Sequence, residues 1–324
     1  MIKSWRSSAP SNIALIKYMG KQNRGEGNLP TNTSLSFTLN HLQTHVFISP
    51  KESGNDAWEP LSEQGLSPID LSLKSQGRFL DFFADLKKQW KIPGSYLIQS
   101  ANNFPSDCGL ASSASSFAAL TLATHELAKE FGVDCTLADL SALSRRGSGS
   151  SCRSFFAPFA KWDGETAQSV DLGIEDLLHQ VVVVGAEKKQ VSSSEAHLRV
   201  LTSSLFKGRV ERAQLRYDQL VSALKTGDWG QAFQIAWAEF WDMHALFETS
   251  APPFGYMNSG SLIVLKAVRD HWNSQGDGPI VTMDAGANVH LLYREDQIEV
   301  AGQLVRDSFS VFDVIQSPKL DGKP

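Results

Sequence analysis

The sequence predicts an α+β protein with two domains. The chain has 324 residues, which is long enough for two hydrophobic cores of ordinary size. Strand-like and helical patterns are mixed in the first half, whereas helical patterns dominate after Lys188 and are followed by two strand-like runs. We therefore place the domain boundary near residue 185, with an N-terminal domain over 1–185 and a C-terminal domain over 186–324.

The composition argues against several classes of protein. The 30 Lys and Arg residues are outnumbered by 35 Asp and Glu residues, and the net charge of −5 argues against nucleic acid as a partner. No apolar run reaches the roughly 18–20 residues that a membrane-spanning helix needs. The 3 cysteines form no Cys-x-x-Cys pair, so neither a disulfide framework nor a structural zinc site is expected. Without a visible secretory signal, we expect a cytoplasmic protein with reduced thiols.

Strands are predicted first in the N-terminal half, followed by helices. Polar and apolar residues alternate over 34–39, as in a half-buried strand, and residues 45–50 are its expected partner. Apolar residues at helical spacing predict a helix over 78–90. The clearest helix runs over 112–131, where Phe117, Leu120, Leu127 and Phe131 recur on one side before Gly132.

The remaining elements are predicted from the same periodicities. A short helix is expected over 137–145, and the valine-rich run that begins at Gln180 has the composition of a buried strand. The C-terminal half is predicted to contain helices over 205–226, 230–247 and 261–273 and strands over 279–283 and 289–294.

One segment that could carry chemistry is Pro105-Ser-Asp-Cys-Gly-Leu-Ala-Ser-Ser-Ala, which runs directly into the longest predicted helix. The start of a helix has unpaired N–H groups and a partial positive charge, and small residues let an anion approach the backbone. The segment therefore fits a phosphate-binding loop. An ordinary serine N-cap with alanine-rich packing explains it equally well, and it does not end in the Gly-Lys-Ser/Thr of a Walker A loop.

A second segment, Arg145-Arg-Gly-Ser-Gly-Ser-Ser-Cys-Arg-Ser, combines arginines, hydroxyls and glycines. Arginine has the best shape for a bidentate grip on a carboxylate or a phosphate, so the segment fits a site for such an anion. The alternative is a flexible surface loop with solvated arginines, which is the usual role of Gly-Ser stretches.

Two further segments contain isolated charges. Asp284 lies in Asp-Ala-Gly-Ala-Asn between two apolar runs, where a carboxylate at a strand end could orient or deprotonate a hydroxyl. Loop geometry alone is the more common reason for Asp and Gly at such a place. Lys17 lies among apolar residues in the segment 12–21, so its ammonium either reaches the surface or is paired with an anion. Tyr18, Gly20 and Lys21 beside it favour contact with an anion.

Together, these segments resemble diphosphomevalonate decarboxylases, a family within the GHMP kinase superfamily. The resemblance runs in order through most of the chain, over residues 9–21, 28–36, 103–115, 146–154 and 283–288. The phosphate loop is similar to the loop found throughout the superfamily. The Gly-Ser-Gly-Ser-x-Cys-Arg stretch and the opening Lys-Tyr-x-Gly-Lys are far more specific to the decarboxylases.

The resemblance implies a two-domain GHMP kinase fold. Its N-terminal domain resembles a ribosomal small-subunit protein and has a left-handed β-α-β unit, its C-terminal domain is ferredoxin-like, and the active site lies between them. The implied reaction uses ATP and Mg²⁺ to phosphorylate the tertiary 3-hydroxyl of (R)-5-diphosphomevalonate. The new phosphate then leaves with CO₂, which gives isopentenyl diphosphate for isoprenoid synthesis. The implied assembly is a homodimer. The composition described above argues against a nucleic acid or membrane partner.

The resemblance also implies roles for individual residues. Asp284 would orient or deprotonate the 3-hydroxyl, Lys17 would lie beside it, and Arg153 would grip the substrate carboxylate. The implied substrate-binding residues are Tyr18, Met19, Lys21, Arg78, Ser148, Ser150 and Thr202. The implied ATP-binding residues are Pro105, Gly109, Leu110, Ala111, Ser112 and Ser113, with Ser112 also a ligand of the Mg²⁺ that accompanies ATP.

Three departures from the family leave alternatives open. Met19 replaces the usual tryptophan, Asp107 and Cys108 replace two small apolar residues, and residues 191–197 lack the Gly-Met pair that usually follows the serines. The alternatives are a decarboxylase acting on mevalonate 5-phosphate, a GHMP-type small-molecule kinase that stops at the phosphate ester, and a nucleotide-binding regulatory module without catalysis.

Overall fold

The structure, a computed structural model, describes residues 3–22, 27–105, 112–185 and 190–322. These residues form two β-sheets with helices packed against them, so the predicted α+β class is confirmed. The strands are β1 (Trp5–Ile16), β2 (Ser34–Lys51), β3 (Ala57–Pro60), β4 (Ser67–Pro68), β5 (Ser95–Asn102), β6 (Phe159–Asp163), β7 (Thr166–Ser169), β8 (Leu178–Val183), β9 (Ile280–Thr282), β10 (Val289–Tyr293) and β11 (Asp313–Gln316). The α-helices are α1 (Leu73–Trp90), α2 (Ser112–Ala128), α3 (Leu137–Gly147), α4 (Ser193–Arg199), α5 (Arg209–Thr226), α6 (Trp229–Glu248), α7 (Ser259–Gln275) and α8 (Ile298–Asp307).

The first sheet is built around the long strand β2. The order of its main path is β3-β5-β2-β6-β7, with β1 antiparallel to β2 and β4 paired with β5. The register of β1 against β2 shifts between Pro10 and Ser11 and again between Ala14 and Ile16. Because bulges bend a strand, these shifts turn the end of β1 into the interior of the molecule. Lys17 follows directly and is 1% exposed.

The second sheet has the order β11-β8-β10-β9, and its neighbouring strands are antiparallel. Since β8 pairs with β10 and β11, this sheet begins at Leu178, before the boundary that we placed near residue 185. Strands β9 and β10 form the predicted hairpin, with Asp284 in the loop between them. The hydroxyl of Thr282 donates to the carbonyl of Ala14 (2.8 Å), which joins this hairpin to the end of β1.

The two halves of the chain share one hydrophobic core. Residues of β1 and β2 such as Ile13 and Leu35 belong to the same cluster as Leu220 of α5, Ala232 of α6 and Ile280 of β9. Burial of apolar area is the main stabilising contribution in such a core. The shared core therefore fixes the relative position of the hairpin and β1, on which the site described below depends.

The predicted helices are present, with shifts at their ends that have local causes. The helix predicted over 112–131 is α-helical to Ala128 and ends in a 3₁₀ turn over Lys129–Phe131, and Phe131 is 45% exposed rather than part of the apolar face. The helix predicted from Leu205 begins at Arg209, because Ser203–Gly208 forms turns and Gly208 has a positive φ of 77°. Within the described residues, no helix combines the length and the apolar character needed to cross a membrane.

Candidate active site

A cleft of about 300 Å³ lies where the end of β1, the start of α2, helix α4 and the β9–β10 loop meet. Most of the residues singled out from the sequence lie in this one place. The predicted residues that line the cleft are Lys17, Tyr18, Met19, Lys21, Arg78, Ser112, Ser113, Ser148, Ser150, Arg153 and Asp284. Segments that are far apart in the sequence therefore form a single site.

Lys17 and Asp284 form an ion pair in the cleft. The Lys17 Nζ lies 2.8 Å from Asp284 Oδ1 and also donates to the carbonyl of Ala14 (2.6 Å). The lysine side chain is buried, whereas a third of the Asp284 side chain remains accessible from the cleft. Of the two readings of Lys17 that the sequence left open, pairing with an anion is the one observed.

The electrostatics of this pair keep the carboxylate charged. Burial acts to raise the pKa of the Asp284 carboxyl, but the charge of Lys17 and its hydrogen bond hold that pKa below its usual value. Burial lowers the pKa of the Lys17 ammonium, and Asp284 opposes the change. At neutral pH, Asp284 is therefore an ionised hydrogen-bond acceptor that faces the cleft.

A second buried pair holds the main chain of Lys17. Glu239 of α6 accepts from the Lys17 N–H (3.0 Å), and Arg209 of α5 donates to the Lys17 carbonyl (3.2 Å). Arg209 and Glu239 are joined to each other through Nη1 and Oε2 (3.0 Å), and both side chains are fully buried. Asp242 and Arg216 extend the network towards the surface. The C-terminal helices therefore fix the residue that follows β1.

Arg153 is a buried cation without a carboxylate partner among the described residues. It is 3% exposed and lines the cleft. Its Nε donates to Asn12 Oδ1 (3.2 Å) and its Nη1 to Ser34 Oγ (3.1 Å), while its guanidinium lies 5.7 Å from the Trp162 ring centroid. Neutral partners orient the guanidinium without neutralising it, and a buried uncompensated charge is costly. The arrangement fits an anion supplied by a ligand.

Lys21 and Arg78 bring further positive charge to the cleft. Lys21 Nζ donates to Asn28 Oδ1 (2.7 Å), a neutral acceptor, and Arg78 Nη2 donates to the carbonyl of Gly147 (3.2 Å). Burial, with a contribution from the positive charge of Arg78, lowers the pKa of Lys21 to about 8. Two cations that repel each other fit a polyanionic ligand, such as a diphosphate.

Ser112 and Ser113 line the cleft at the beginning of α2, whose first turn contains no acidic residue. Their hydroxyls and the positive end of the helix suit nucleotide phosphates. The described residues contain no cluster of His, Cys, Asp and Glu that could hold a metal ion by itself. The donor set therefore fits Mg²⁺ that arrives with nucleotide phosphates, since Mg²⁺ usually keeps waters and takes few protein ligands.

Some of the predicted site residues are not among the described residues that line this cleft. Pro105 and Thr202 are not among its lining residues. The Thr202 hydroxyl donates to the carbonyl of Arg199 (2.7 Å) and accepts from the main-chain N–H of Ala251 (2.8 Å), so it joins two loops instead. Substrate binding by Thr202 stays a prediction. The predicted residues Gly109, Leu110 and Ala111, and with them Asp107 and Cys108, lie outside the described residues.

The cleft also contains residues that the sequence analysis did not select. These additional lining residues include Asn28, Ser192, Ser193, Ser194, His197 and Met243. The three consecutive serines are a usable signal, because their hydroxyls can donate hydrogen bonds to an anion. No local pattern identifies Arg209 and Glu239, which look like ordinary charged residues of two amphipathic helices.

Two family models match this chain. The N-terminal domain of diphosphomevalonate decarboxylase-like proteins matches residues 9–171, and the C-terminal domain of mevalonate 5-diphosphate decarboxylases matches residues 180–321. The chain belongs to the diphosphomevalonate decarboxylase family. Among curated members of this family, the protein from Saccharomyces cerevisiae is 33% identical over 311 residues, which cover 88% of this chain and 76% of the yeast protein.

Solved structures of decarboxylases in this family have the same fold. The mevalonate diphosphate decarboxylase from Legionella pneumophila is 46% identical, with a TM-score of 0.91 over 97% of this chain and 100% of that chain. A structure described as MDDEF in complex with MVAPP, AMPPCP and magnesium is 31% identical, with a TM-score of 0.86 over 98% of this chain and 96% of that chain. The predicted GHMP kinase fold is thereby confirmed.

The buried pair of Arg209 and Glu239 leads to a prediction about stability. We expect Glu239→Gln to lower the free energy of unfolding by roughly 3–5 kcal/mol, because it leaves a buried guanidinium partly uncompensated. Urea denaturation followed by circular dichroism measures this change. The control is Asp270→Asn, which breaks the exposed pair of Lys266 and Asp270 and should cost less than about 1 kcal/mol. Equal losses in the two variants would contradict the prediction.

Proposed function

We propose that this protein decarboxylates (R)-5-diphosphomevalonate at the expense of ATP, yielding isopentenyl diphosphate, ADP, phosphate and CO₂. The observation that carries the proposal is the ion pair of Lys17 and Asp284 beside Arg153, which has no carboxylate partner among the described residues, in one cleft. The substrate has a hydroxyl, a carboxylate and a diphosphate. The cleft offers a charged acceptor, a guanidinium and the cations Lys21 and Arg78 to match them.

In the first step, the 3-hydroxyl of the substrate attacks the terminal phosphoryl group of ATP. Asp284 accepts the hydrogen bond of this hydroxyl and takes its proton as the new O–P bond forms and the bond to ADP breaks. Lys17 keeps Asp284 ionised before the step and stabilises negative charge that develops at the reacting oxygens. The rigid hold on the Lys17 main chain keeps both groups in position.

In the second step, the new phosphate leaves with the electron pair of its C–O bond, and positive charge develops at the tertiary carbon. The C–C bond to the carboxylate then breaks, its electrons form the double bond, and CO₂ departs. Arg153 orients the carboxylate before this step. Among the described residues, the guanidinium has hydrogen bonds only to the neutral groups Asn12 and Ser34, so the substrate carboxylate can pair with it directly.

ATP and Mg²⁺ complete the site. The relative described as MDDEF was observed with MVAPP, AMPPCP and magnesium, which supports this assignment. Ser112 and Ser113 line the cleft, which supports the proposal that they contact nucleotide phosphates and that Ser112 would be the ligand of the accompanying Mg²⁺. When bound, Mg²⁺ would neutralise charge on the transferring phosphates. The family resemblance further supports a homodimer located in the cytoplasm.

A panel of three substrates tests the proposal. The protein is incubated with ATP, Mg²⁺ and either mevalonate, its 5-phosphate or its 5-diphosphate, and ADP, phosphate and CO₂ are measured. We expect equal amounts of all three products with the 5-diphosphate and much lower rates with the others. Turnover only with the 5-phosphate would show that mevalonate 5-phosphate, and not the 5-diphosphate, is the substrate. ADP with a stable phosphorylated product would indicate a kinase, and binding without turnover would indicate a regulatory module.

The role of Asp284 is tested by Asp284→Asn. We expect this variant to bind an ATP analogue normally but to lose roughly 10²–10⁴-fold in turnover, because the amide cannot take the proton of the 3-hydroxyl. ADP release under saturating substrate measures the loss. Asp270→Asn serves as the matched control at an exposed carboxylate and should leave turnover unchanged. A rate near that of the unmodified enzyme would remove Asp284 from the mechanism.

The lowered pKa of Lys21 predicts a pH dependence. Lys21 is charged below pH about 8 and loses its proton above it. Affinity for the diphosphate should therefore decrease as the pH rises through this value, and kcat/KM should fall with it. Arginine retains its charge throughout this range, so Lys21→Arg should keep kcat/KM high to a more alkaline pH. Superimposable pH profiles of the two proteins would show that Lys21 does not contribute.

A further inference from the structure

A histidine that the mechanism above does not use lies in the same cleft. His197, on α4, is 8% exposed and lines the cavity. Its ring packs against the Tyr18 ring with 4.1 Å between the centroids. Its Nδ1 lies 3.2 Å from the main-chain nitrogen of Gly20. These two contacts, one with each of the segments that flank Met19, fix both the position and the rotation of the imidazole.

The contact with Gly20 determines which ring nitrogen carries the proton. A peptide N–H can only donate, so Nδ1 is the acceptor, and the single proton of the neutral ring is on Nε2. Burial, reinforced by the charges of Lys21 and Arg153, lowers the pKa of His197 well below its usual value. The ring is therefore neutral under physiological conditions, and its Nε2–H is a donor of fixed direction.

This donor has no acceptor in the part of the chain that the structure describes, although the ring lines the cleft. We propose that His197 is a further substrate-binding residue, whose Nε2–H donates to a phosphate oxygen of the phosphorylated substrate. The proposal rests on the function proposed above for the same cleft. In this proposal, His197 helps the site to select a substrate that has a phosphate group next to the imidazole.

The position of His197 favours the phosphate end of the substrate over its carboxylate end. The residue that His197 contacts, Gly20, directly precedes Lys21. After burial, the charge of Lys21 contributes most to lowering the pKa of the imidazole. Arg153, which is assigned to the substrate carboxylate, lowers the pKa of the imidazole less than Lys21 does. We therefore expect the phosphate oxygens that bind Lys21 to lie nearest to His197.

A neutral donor suits this place for an electrostatic reason. Among the described residues that line the cleft, four are cations, namely Lys17, Lys21, Arg78 and Arg153, and one is a carboxylate, Asp284. A fifth cation would increase the repulsion that already lowers the pKa of Lys21. A neutral N–H adds a directed hydrogen bond to an anion without that cost.

Two substitutions distinguish the role of Nδ1 from the role of Nε2. In His197→Asn, the amide oxygen can replace Nδ1 as the acceptor for Gly20, but no donor reaches the position of Nε2. In His197→Gln, the amide nitrogen can replace the Nε2–H donor, while the acceptor for Gly20 is lost. Binding of inorganic diphosphate and of mevalonate 5-diphosphate is measured by calorimetry with an ATP analogue present, so that the nucleotide site is occupied. Thermal unfolding of each variant is measured in parallel.

We expect His197→Asn to weaken binding of both diphosphates by about 10-fold or more, the scale of a hydrogen bond to a charged group. His197→Gln should bind them within about 3-fold of the unmodified protein but unfold at a lower temperature, because the Gly20 N–H loses its acceptor. The affinity for the ATP analogue should be the same in all three proteins.

Two results would overturn the inference. One is unchanged binding of diphosphates by His197→Asn, and the other is an equal loss in both variants, which would mean that His197 acts only through Gly20. If the unmodified protein does not convert mevalonate 5-diphosphate, the function proposed for the cleft fails. The measurement with inorganic diphosphate still decides the role of His197 in that case.

Discussion

Lys17 carries a buried positive charge at the junction of the two halves of the chain, and the rest of the site is arranged around this charge. Its main-chain N–H donates to Glu239, and its ammonium donates to Asp284. Its main-chain carbonyl accepts hydrogen bonds from Arg209 and Asn32. Buried ion pairs are often no more stabilising than well-packed apolar groups of the same volume. Folding energy therefore does not explain why two such pairs meet here, whereas chemistry in the adjacent cleft does.

The cleft differs from the buried network beside it in how charge is compensated. Arg209 is paired with Glu239 and Asp242, so its charge is compensated without a ligand. In the cleft, Arg153 and Lys21 are oriented by neutral groups, and the described residues supply neither with a carboxylate partner. The charge of one cluster is thus compensated within the protein, whereas the charge of the other is suited to an anionic ligand. This contrast, rather than the mere number of charges, distinguishes a binding site from a structural network.

Much of the fold was predictable because its signals are local. The periodicity of α1, α2 and the C-terminal helices, and the apolar runs on either side of Asp284, follow from short stretches of sequence. The convergence of Lys17 and Asp284 was expected only from the family resemblance, since the residues alone left two readings of Lys17. The hold of Arg209 and Glu239 on Lys17 has no local signal, because charged residues on helices usually face solvent. The same holds for His197, whose tautomer depends on a main-chain group 177 residues away.

The distance in sequence between the paired groups has a consequence for how the site forms. Lys17 and Asp284 are 267 residues apart, and Lys17 and Glu239 are 222 residues apart. Their contacts require that β1, α6 and the β9–β10 hairpin are already packed, which is achieved by the core that contains Ile13, Ala232 and Ile280. Neither half of the chain can hold the ion pair alone, because each supplies only one of its charges. The chemistry of the cleft is thus a property of the junction between the two halves, and any change that loosens the shared core acts on the reacting groups as well.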